Sequence, residues 1–118
     1  MSCRVLVVDD SAFMRVRLRE ILESSGATVV GEAANGMEGI KKFQDLRPDL
    51  VLLDITMPDV DGLTVLKEVL QLDSQAKIIM VSALSQKSII MEALQLGARD
   101  YIIKPLDLHR AKEVLSKV

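Results

Sequence analysis

The sequence predicts an α/β fold in which five β-strands alternate with five helices, a (βα)5 arrangement. Short, continuous apolar runs are typical of strands buried on both faces of a sheet, and five such runs occur along the chain. The segments between these runs carry apolar residues at helical spacing. Because strands that alternate with helices are joined by right-handed crossovers, the pattern indicates a single parallel sheet.

The five predicted strands follow one another without a linker, a low-complexity stretch or an internal repeat. A chain of 118 residues has the length of one domain, so we predict one domain over residues 1–118, with no output domain. The predicted strands are Val5–Val8, Val29–Ala33, Leu50–Leu53, Ile78–Val81 and Tyr101–Ile103.

Each predicted helix follows its strand and carries an apolar stripe that would pack on the sheet. Ser11 is a candidate N-cap of the first helix, and Gly26 marks its end. The second helix is expected to end before Pro48, and Gly97 closes the fourth. The five stripes consist, in order, of Met14, Leu18, Ile21 and Leu22; Met37, Ile40 and Phe43; Leu63, Leu66 and Leu70; Ile90, Ala93 and Leu94; and Leu108, Ala111 and Leu115.

The composition excludes several classes of protein. Apolar residues make up 49% of the chain and aromatic residues only 3%, so the core is aliphatic. With 17 acidic and 15 basic residues, the chain has no basic excess that would bind nucleic acid. The single cysteine, Cys3, cannot form an internal disulfide and fits a reducing compartment. Since no signal peptide or membrane span is apparent, we expect a cytoplasmic protein that does not bind a membrane.

Polar residues follow the predicted strands, at the edge of the sheet where ligands of parallel α/β folds bind. Asp54 stands out among them, because an acid at the end of an apolar strand is costly to bury without a positive partner. The residues at the strand ends are Asp9 and Asp10, Asn35, Asp54, Ser82, and Lys104 with Pro105.

Three of these residues, Asp9, Asp10 and Asp54, would bring their carboxylates to one edge, where they repel each other unless a cation is present. Carboxylate oxygens suit Mg²⁺, which binds through a few carboxylates and retains water ligands. Lys104 would add a point charge that pairs with a carboxylate or a phosphate, and Ser82 would add a hydroxyl. The strand ends therefore predict a Mg²⁺ site.

Each feature also has a purely structural explanation. An Asp-Asp-Ser run after a strand is a common helix N-cap, and Asn35 with Gly36 is a common turn. A lysine before a proline usually lies on the surface, and a serine after a strand is usually a loop residue. The combination of these residues at matching strand ends is more specific than any one of them.

Three competing sites can be tested against the sequence. Gly26 and Gly31 have the spacing of a P-loop, but Glu32 stands where that motif requires lysine. A haloacid-dehalogenase-type phosphatase also has an aspartate nucleophile after a strand and uses Mg²⁺, but it needs a second acid where this chain has Thr56. His109 is the only histidine and is expected on the last helix, which argues against a zinc site.

Five stretches resemble the receiver domain of response regulators in two-component signalling, and together they cover essentially the whole chain. Within that family, "DDSAFMR" and a chain that ends at its fifth helix are similar to the single-domain chemotaxis response regulators. The resemblance implies a flavodoxin-like, doubly wound sheet with strand order 2-1-3-4-5. The stretches are "VLVVDDSAFMR", "EAANGMEGI", "PDLVLLDITMPDVDGL", "IIMVSAL" and "GARDYIIKPL".

The resemblance also implies roles for the metal site and the reacting residue. Asp54 matches the phosphoacceptor, which takes a phosphoryl group from the phosphohistidine of a histidine kinase. Asp10 matches the side-chain ligand of Mg²⁺, and Asp9 would act mainly through a metal-bound water. Thr56 matches the position whose backbone carbonyl completes the metal site.

Further residues would respond to the phosphoryl group. Lys104 would contact the phosphoryl oxygens, Ser82 would donate a hydrogen bond to them, and Tyr101 would be the switch aromatic that turns inward behind Ser82. Pro105 resembles the family's cis proline. Leu84, together with Thr56, occupies a position that varies across the family and flanks the path to the phosphoryl group.

The function that the resemblance implies is a monomeric phosphorylation switch, with self-catalysed phosphotransfer and autodephosphorylation and no other enzymatic activity. Its downstream target would bind the surface formed by the fourth helix, the fifth strand and the fifth helix, and in chemotaxis this target would be the flagellar motor switch. The alternatives are a stand-alone phosphorelay or methylesterase-type receiver, or a Mg²⁺-dependent aspartyl phosphatase.

Overall fold

The computed structural model describes residues 3–118, which form a five-stranded sheet and five helices. Three strands begin one residue earlier than the apolar runs predict, and the fourth strand extends to Ser82. The strands are β1 (Arg4–Val8), β2 (Thr28–Ala33), β3 (Leu50–Leu53), β4 (Ile78–Ser82) and β5 (Asp100–Ile103). The helices are α1 (Ala12–Ser24), α2 (Gly36–Leu46), α3 (Gly62–Leu72), α4 (Lys87–Leu96) and α5 (Leu108–Leu115).

The sheet has the order β2-β1-β3-β4-β5, and every pair of neighbouring strands is parallel. This order confirms the predicted flavodoxin-like, doubly wound α/β fold, and it places β5 at one edge. In β1, Val8 pairs with Leu53 of β3, so the residues that follow these two lie side by side. Ser82 pairs with Ile103 of β5, which brings the next residue, Lys104, to the same edge.

Helices cover both faces of the sheet, and the side chains of β1 show how the two layers are built. Leu6 and Val8 pack into a core with Phe43 of α2 and Leu66 of α3, and Ala93 of α4 belongs to the same core. The alternate residues of β1, Val5 and Val7, pack into a second core with residues of α1 and α5. Alternation along a strand sends successive side chains to opposite faces, so apolar strands serve both cores.

Polar caps begin four of the five helices. Ser11, Asn35, Asp61 and Asp107 each accept a backbone N–H of the first turn, at α1, α2, α3 and α5 respectively. In α4 the N-cap residue, Gln86, makes no side-chain capping hydrogen bond. Four helices therefore have a stabilised first turn and α4 lacks this stabilisation.

The ends of the helices follow the sequence signals. Gly26 lies beyond α1 with φ 87°, and Gly97 caps α4 with φ 120°, a conformation that glycine adopts without a steric penalty. Helix α2 ends at Leu46, and Arg47 adopts a left-handed conformation just before Pro48. Within residues 3–118, no helix combines the length and the apolarity needed to cross a bilayer.

In two helices, the residues that are buried differ from those of the predicted apolar stripe. In α3, Val65 and Val69 are buried beside Leu66, whereas the predicted Leu63 and Leu70 are only half-buried. Valine and leucine are both apolar, so the sequence does not determine which row of this helix faces the sheet. In α5, Leu108 is 49% exposed, and Val114 is buried together with Ala111.

Residues at the flanks of two other stripes are also more exposed than predicted. Met37 in α2 is 60% exposed, and Leu94 in α4 is 39% exposed. Each helix lies on the sheet along a narrow face, so a residue at the margin of its stripe remains in contact with solvent.

Candidate functional site

The carboxyl ends of β1, β3 and β5 bring two acids and a lysine together. Lys104 Nζ lies 2.9 Å from Asp9 Oδ2 and 3.0 Å from Asp54 Oδ2, and it donates a hydrogen bond to both. Asp9 is 1% exposed and Asp54 is 5% exposed. The positive partner that a buried acid at the end of β3 requires is therefore the ammonium group of Lys104.

Asp54 is fixed at both its backbone and its side chain. Its backbone N–H continues the sheet by donating to Val8 O at 2.9 Å, and its Oδ1 accepts the N–H of Ile55 at 2.7 Å. Gly62 closes the loop behind it, donating its N–H to Ile55 O at 2.7 Å. A Cβ atom at Gly62 would lie 2.0 Å from Asp54 O, so only glycine fits there without moving the backbone of Asp54.

The acid pair after β1 has one buried and one exposed member. The Asp9 backbone N–H donates to Ala33 O at 3.0 Å, and Asp9 Oδ1 accepts the N–H of Ser11 at 2.9 Å. Asp10, which lies between Asp9 and Ser11 in the sequence, is exposed. One carboxylate oxygen from each of Asp9, Asp10 and Asp54 lies within 4.8 Å of the others. This donor set of hard oxygens, open to solvent on the side of Asp10, fits a small divalent cation such as Mg²⁺.

The surroundings of Lys104 stabilise its charged form. Burial of Nζ lowers the pKa of Lys104, but the hydrogen bonds and the charges of Asp9 and Asp54 outweigh this, so the pKa lies above its ordinary value. The backbone N–H of Lys104 donates to Ser82 O at 2.8 Å. The peptide bond between Lys104 and Pro105 is cis, the isomer that the resemblance implies.

Ser82 is the last residue of β4, and Tyr101 lies near the start of the neighbouring strand β5. Ser82 is buried, and its Oγ accepts the N–H of Leu84 at 3.2 Å. The ring of Tyr101 is also buried, and its hydroxyl donates to Leu84 O at 2.6 Å. Burial raises the pKa of Tyr101 above its ordinary value, the nearby hydroxyl of Ser82 lowers it in part, and the charge of Asp54 raises it. The backbone of Leu84 thus links the serine and the tyrosine.

The family described as the response regulator receiver domain matches residues 5–116 of this chain. The chain belongs to this family. The family and the two-component context that the sequence stretches predicted are therefore confirmed.

This receiver domain is similar to several chemotaxis proteins. It is 49% identical to the chemotaxis protein CheY of Bacillus subtilis, in an alignment that covers 99% of this chain and 98% of that protein. It is 46% identical to protein-glutamate methylesterase/protein-glutamine glutaminase 1 of Syntrophomonas wolfei, but this alignment covers 97% of this chain and only 34% of that enzyme.

A solved structure has the same architecture. The TM-score is 0.95, at 37% identity, to a chain in the crystal structure of the CheX–CheY–BeF3–Mg complex from Borrelia burgdorferi. The match covers 98% of the receiver domain and 87% of that chain. The fold prediction is therefore supported by an experimental structure.

Not all of the polar residues at the strand ends join the acid cluster. Asn35 is the N-cap of α2, where its Oδ1 accepts the N–H of Glu38 at 2.9 Å. Thr56 is exposed in the loop two residues after Asp54, and His109 is exposed on α5. The cluster itself consists of the three acids and Lys104, with Ser82 at the adjacent strand end.

Two parts of the surrounding framework have no counterpart in the sequence prediction. Arg15, in the "DDSAFMR" stretch, donates through Nη1 to Asp9 O at 2.7 Å and pairs through Nε with Glu32 at 3.3 Å. Asp59 accepts the N–H groups of Gly36 and Met37 at 2.8 and 2.9 Å, which joins the loop after Asp54 to α2. Arg15 pairs with a residue of β2 and Asp59 reaches the first turn of α2, so residue types and local spacing do not predict these links.

Proposed function

We propose that this chain is a phosphorylation-activated signalling switch in which Asp54 accepts a phosphoryl group from the phosphohistidine of a histidine kinase. The observation that carries this proposal is the buried Asp54 carboxylate, held 3.0 Å from the ammonium of Lys104 and beside two further acids. An anionic nucleophile fixed beside a fixed cation suits phosphoryl transfer, which depends mainly on positioning and on neutralisation of charge.

In the proposed transfer, an oxygen of Asp54 attacks the phosphorus atom and forms a P–O bond as the P–N bond to the histidine breaks. The electron pair of that bond passes to the imidazole, and the product is an acyl phosphate on Asp54. Lys104 then contacts the phosphoryl oxygens with its ammonium group. Attack by water on the phosphorus atom later breaks the P–O bond, releases inorganic phosphate and resets the switch.

Asp9, Asp10 and Asp54, together with the backbone carbonyl of Thr56, would hold Mg²⁺ at this site. When bound, the ion supplies positive charge that offsets the charge of the phosphoryl oxygens and of the crowded carboxylates. The exposure of Asp10 supports the assignment, because Mg²⁺ retains several water ligands and requires an opening to solvent.

Ser82 and Tyr101 are the proposed link between the site and the surface. Ser82 would leave its bond with the N–H of Leu84 and donate to the phosphoryl group. Because Tyr101 bonds to Leu84 O, a shift of this loop would change the balance between the buried position of the ring and an exposed one. The switch would therefore be a population shift between two existing arrangements.

The downstream target is proposed to bind the surface formed by α4, β5 and α5. These three neighbouring elements expose apolar side chains, which is typical of a protein-binding surface. The similarity to chemotaxis protein CheY supports a role in chemotaxis, and we propose the flagellar motor switch as the target, with the chain acting as a cytoplasmic monomer. The exposed residues are Met91, Leu94, Ile103 and Leu108.

A stand-alone receiver of the methylesterase type or of a phosphorelay is the second candidate. The similarity to the receiver portion of the Syntrophomonas wolfei methylesterase supports this candidate. The two candidates share the chemistry at Asp54 and differ in the partner. Retention of motor-switch protein by the phosphorylated form, and not by the unphosphorylated form, would distinguish them.

Incubation with acetyl phosphate and Mg²⁺ tests the proposal. We expect stoichiometric labelling of the parent, measured by intact-protein mass spectrometry, and no labelling of Asp54→Asn. Asp61→Asn is a matched control, because asparagine preserves the N-cap hydrogen bond that Asp61 makes at α3. Equal labelling of Asp54→Asn would refute the site, and rapid turnover of acetyl phosphate without lasting label would favour a phosphatase.

A further inference from the structure

Arg15 and Glu32 form a chain of contacts that ends on the backbone of the acid pair. Arg15 projects from the first turns of α1, and its Nη1 donates to Asp9 O at 2.7 Å. The guanidinium is itself held, because Nε lies 3.3 Å from Glu32 Oε1 of β2. Both side chains are largely covered, so the guanidinium has little freedom to leave Asp9.

Glu32 is anchored in turn. Its other carboxylate oxygen, Oε2, accepts Nε of Arg19 at 3.0 Å and also contacts Nη2 of Arg19, and its backbone carbonyl accepts Nζ of Lys42. Arg19 therefore shares Glu32 with Arg15 but does not contact Asp9. Arg19 thus supports only the packing of α1 on β2, whereas Arg15 also reaches the acid pair.

The contact at Asp9 O completes the fixation of this residue. Its N–H bonds to Ala33 O, its Oδ1 accepts the N–H of Ser11, and its Oδ2 accepts Lys104. With Arg15 on the carbonyl, every polar group of Asp9 has a partner. The peptide unit held by Arg15 is the one that leads directly into Asp10, so its orientation constrains the backbone of Asp10.

We propose that Arg15, held by Glu32, is a positioning residue that orients the Asp9–Asp10 peptide and thereby sets the affinity of the acid cluster for a divalent cation. This inference rests on the proposed function of that cluster. Arg15 donates to the backbone carbonyl of Asp9, so it would act on the cation site through that backbone.

The direction of the change in cation affinity distinguishes a positioning role of Arg15 from a purely electrostatic one. A positive charge near an acid cluster opposes cation binding, so removal of Arg15 by a purely electrostatic effect would tighten binding. Glu32 offsets most of that charge, because its carboxylate forms an ion pair with Arg15. A loss of orientation, by contrast, weakens binding, and removal of groups that orient metal ligands typically costs about 10-fold or more in affinity.

The test is the affinity for Mg²⁺ alone, measured by titration calorimetry on the parent, Arg15→Ala, Arg15→Lys and Arg19→Ala. We expect about 10-fold weaker binding in Arg15→Ala and a change of less than about twofold in Arg19→Ala. Arg15→Lys retains the charge, but its single ammonium cannot hold both Asp9 O and Glu32, so we expect an intermediate loss. Arg15→Lys also keeps the test decisive where Arg15→Ala does not fold.

The outcomes distinguish this inference from the proposed function. Equal affinity in the parent and both Arg15 variants, or tighter binding in Arg15→Ala and Arg19→Ala alike, would overturn the positioning role while leaving the site intact. A parent that neither binds Mg²⁺ nor becomes labelled at Asp54 would overturn both proposals. An amide NMR shift of Asp10 in Arg15→Lys, absent in Arg19→Ala, would support the orientation of this peptide by Arg15.

Discussion

Helices α1 and α2 are held to the sheet by more interactions than helix α4. Both have a side-chain N-cap, at Ser11 and Asn35, and each buries three residues, whereas α4 has no side-chain cap and buries only Ala93. The pairing of Glu32 with two arginines further ties α1 to β2. No ion pair within the described residues 3–118 involves a residue of α4.

This difference fits the proposed division of labour in the molecule. The acid pair follows β1 and needs fixed geometry, because phosphoryl transfer depends on positioning. The proposed target surface includes α4, which must be able to change its arrangement when the site is phosphorylated, and such elements come from the less stable parts of a fold. Lys104 follows β5, which belongs to the proposed target surface. Its bonds to Asp9 and Asp54 connect that surface to the acid cluster.

The largest expected effect is a core substitution in the tightly held region. Phe43 of α2 is 1% exposed, so Phe43→Ala should lower the free energy of unfolding by about 3–5 kcal/mol. Leu94→Ala in α4 should change it by less than about 0.5 kcal/mol, because that side chain already contacts solvent. Urea unfolding followed by circular dichroism measures both, and similar losses would contradict the comparison.

Lys104→Ala removes the link between the two regions. We expect a stability loss of about 1–3 kcal/mol without Mg²⁺, because two buried carboxylates lose their positive partner. Added Mg²⁺ should recover more of this loss than it adds to the parent, since a cation would then offset the same charges. Lys41→Ala, which removes an exposed ion pair with Asp45, is the control and should show no such dependence on Mg²⁺.

The N-cap of α2 can be tested against the uncapped start of α4. Asn35→Ala should lower the free energy of unfolding by about 1 kcal/mol, because the N–H of Glu38 loses its acceptor. Gln86→Ala should have almost no effect, since that side chain makes no capping bond. Amide hydrogen exchange should also quicken in the first turn of α2 in Asn35→Ala, and equal effects of the two substitutions would argue against the difference in capping.

The smallest expected effect concerns acid pH. The hydrogen bond from Arg19, aided by the charges of Arg19 and Arg15, lowers the pKa of Glu32 below its ordinary 4.5. The stability that this carboxylate contributes is complete above the unfolded-state pKa and is lost as the pH falls through the lower folded-state value. The contribution should stay below about 1 kcal/mol, because the pair is partly exposed to solvent.

Glu32→Gln is the corresponding variant. The variant should be less stable than the parent at neutral pH, and the difference should shrink as the pH is lowered below about 4.5. Urea unfolding at a series of pH values measures this. A difference that is constant across the series would show that the charge of Glu32 does not contribute.

The sequence predicted the fold and the grouping of the acids with Lys104 because both follow from the positions of the strands. Apolar runs identify buried strands, and in a parallel sheet the residues that follow them meet at one edge, which brought Asp9, Asp54 and Lys104 together. The pairing of Val8 with Leu53 then sets the first two side by side. These relations need only periodicity and topology, and both can be inferred from sequence.

Other features depend on packing that periodicity does not determine. The buried row of α3 runs through Val65 and Val69 instead of the predicted leucines, because the sequence offers two apolar rows on the same helix. Arg15 and Asp59 carry charges that could equally lie in solvent, and their partners are a backbone carbonyl and the first turn of another helix. Such contacts become visible only when the elements are placed in three dimensions.

Gly62 sets a limit on how this scaffold can be redesigned. An added methyl group there would collide with the carbonyl of Asp54, so the start of α3 and the proposed phosphoacceptor are in close backbone contact. A designer could vary most exposed positions of this domain freely, but a side chain at position 62 would shift the backbone of Asp54. The loop from Asp54 to Gly62 should therefore be transplanted into other scaffolds as one unit, with its glycine included.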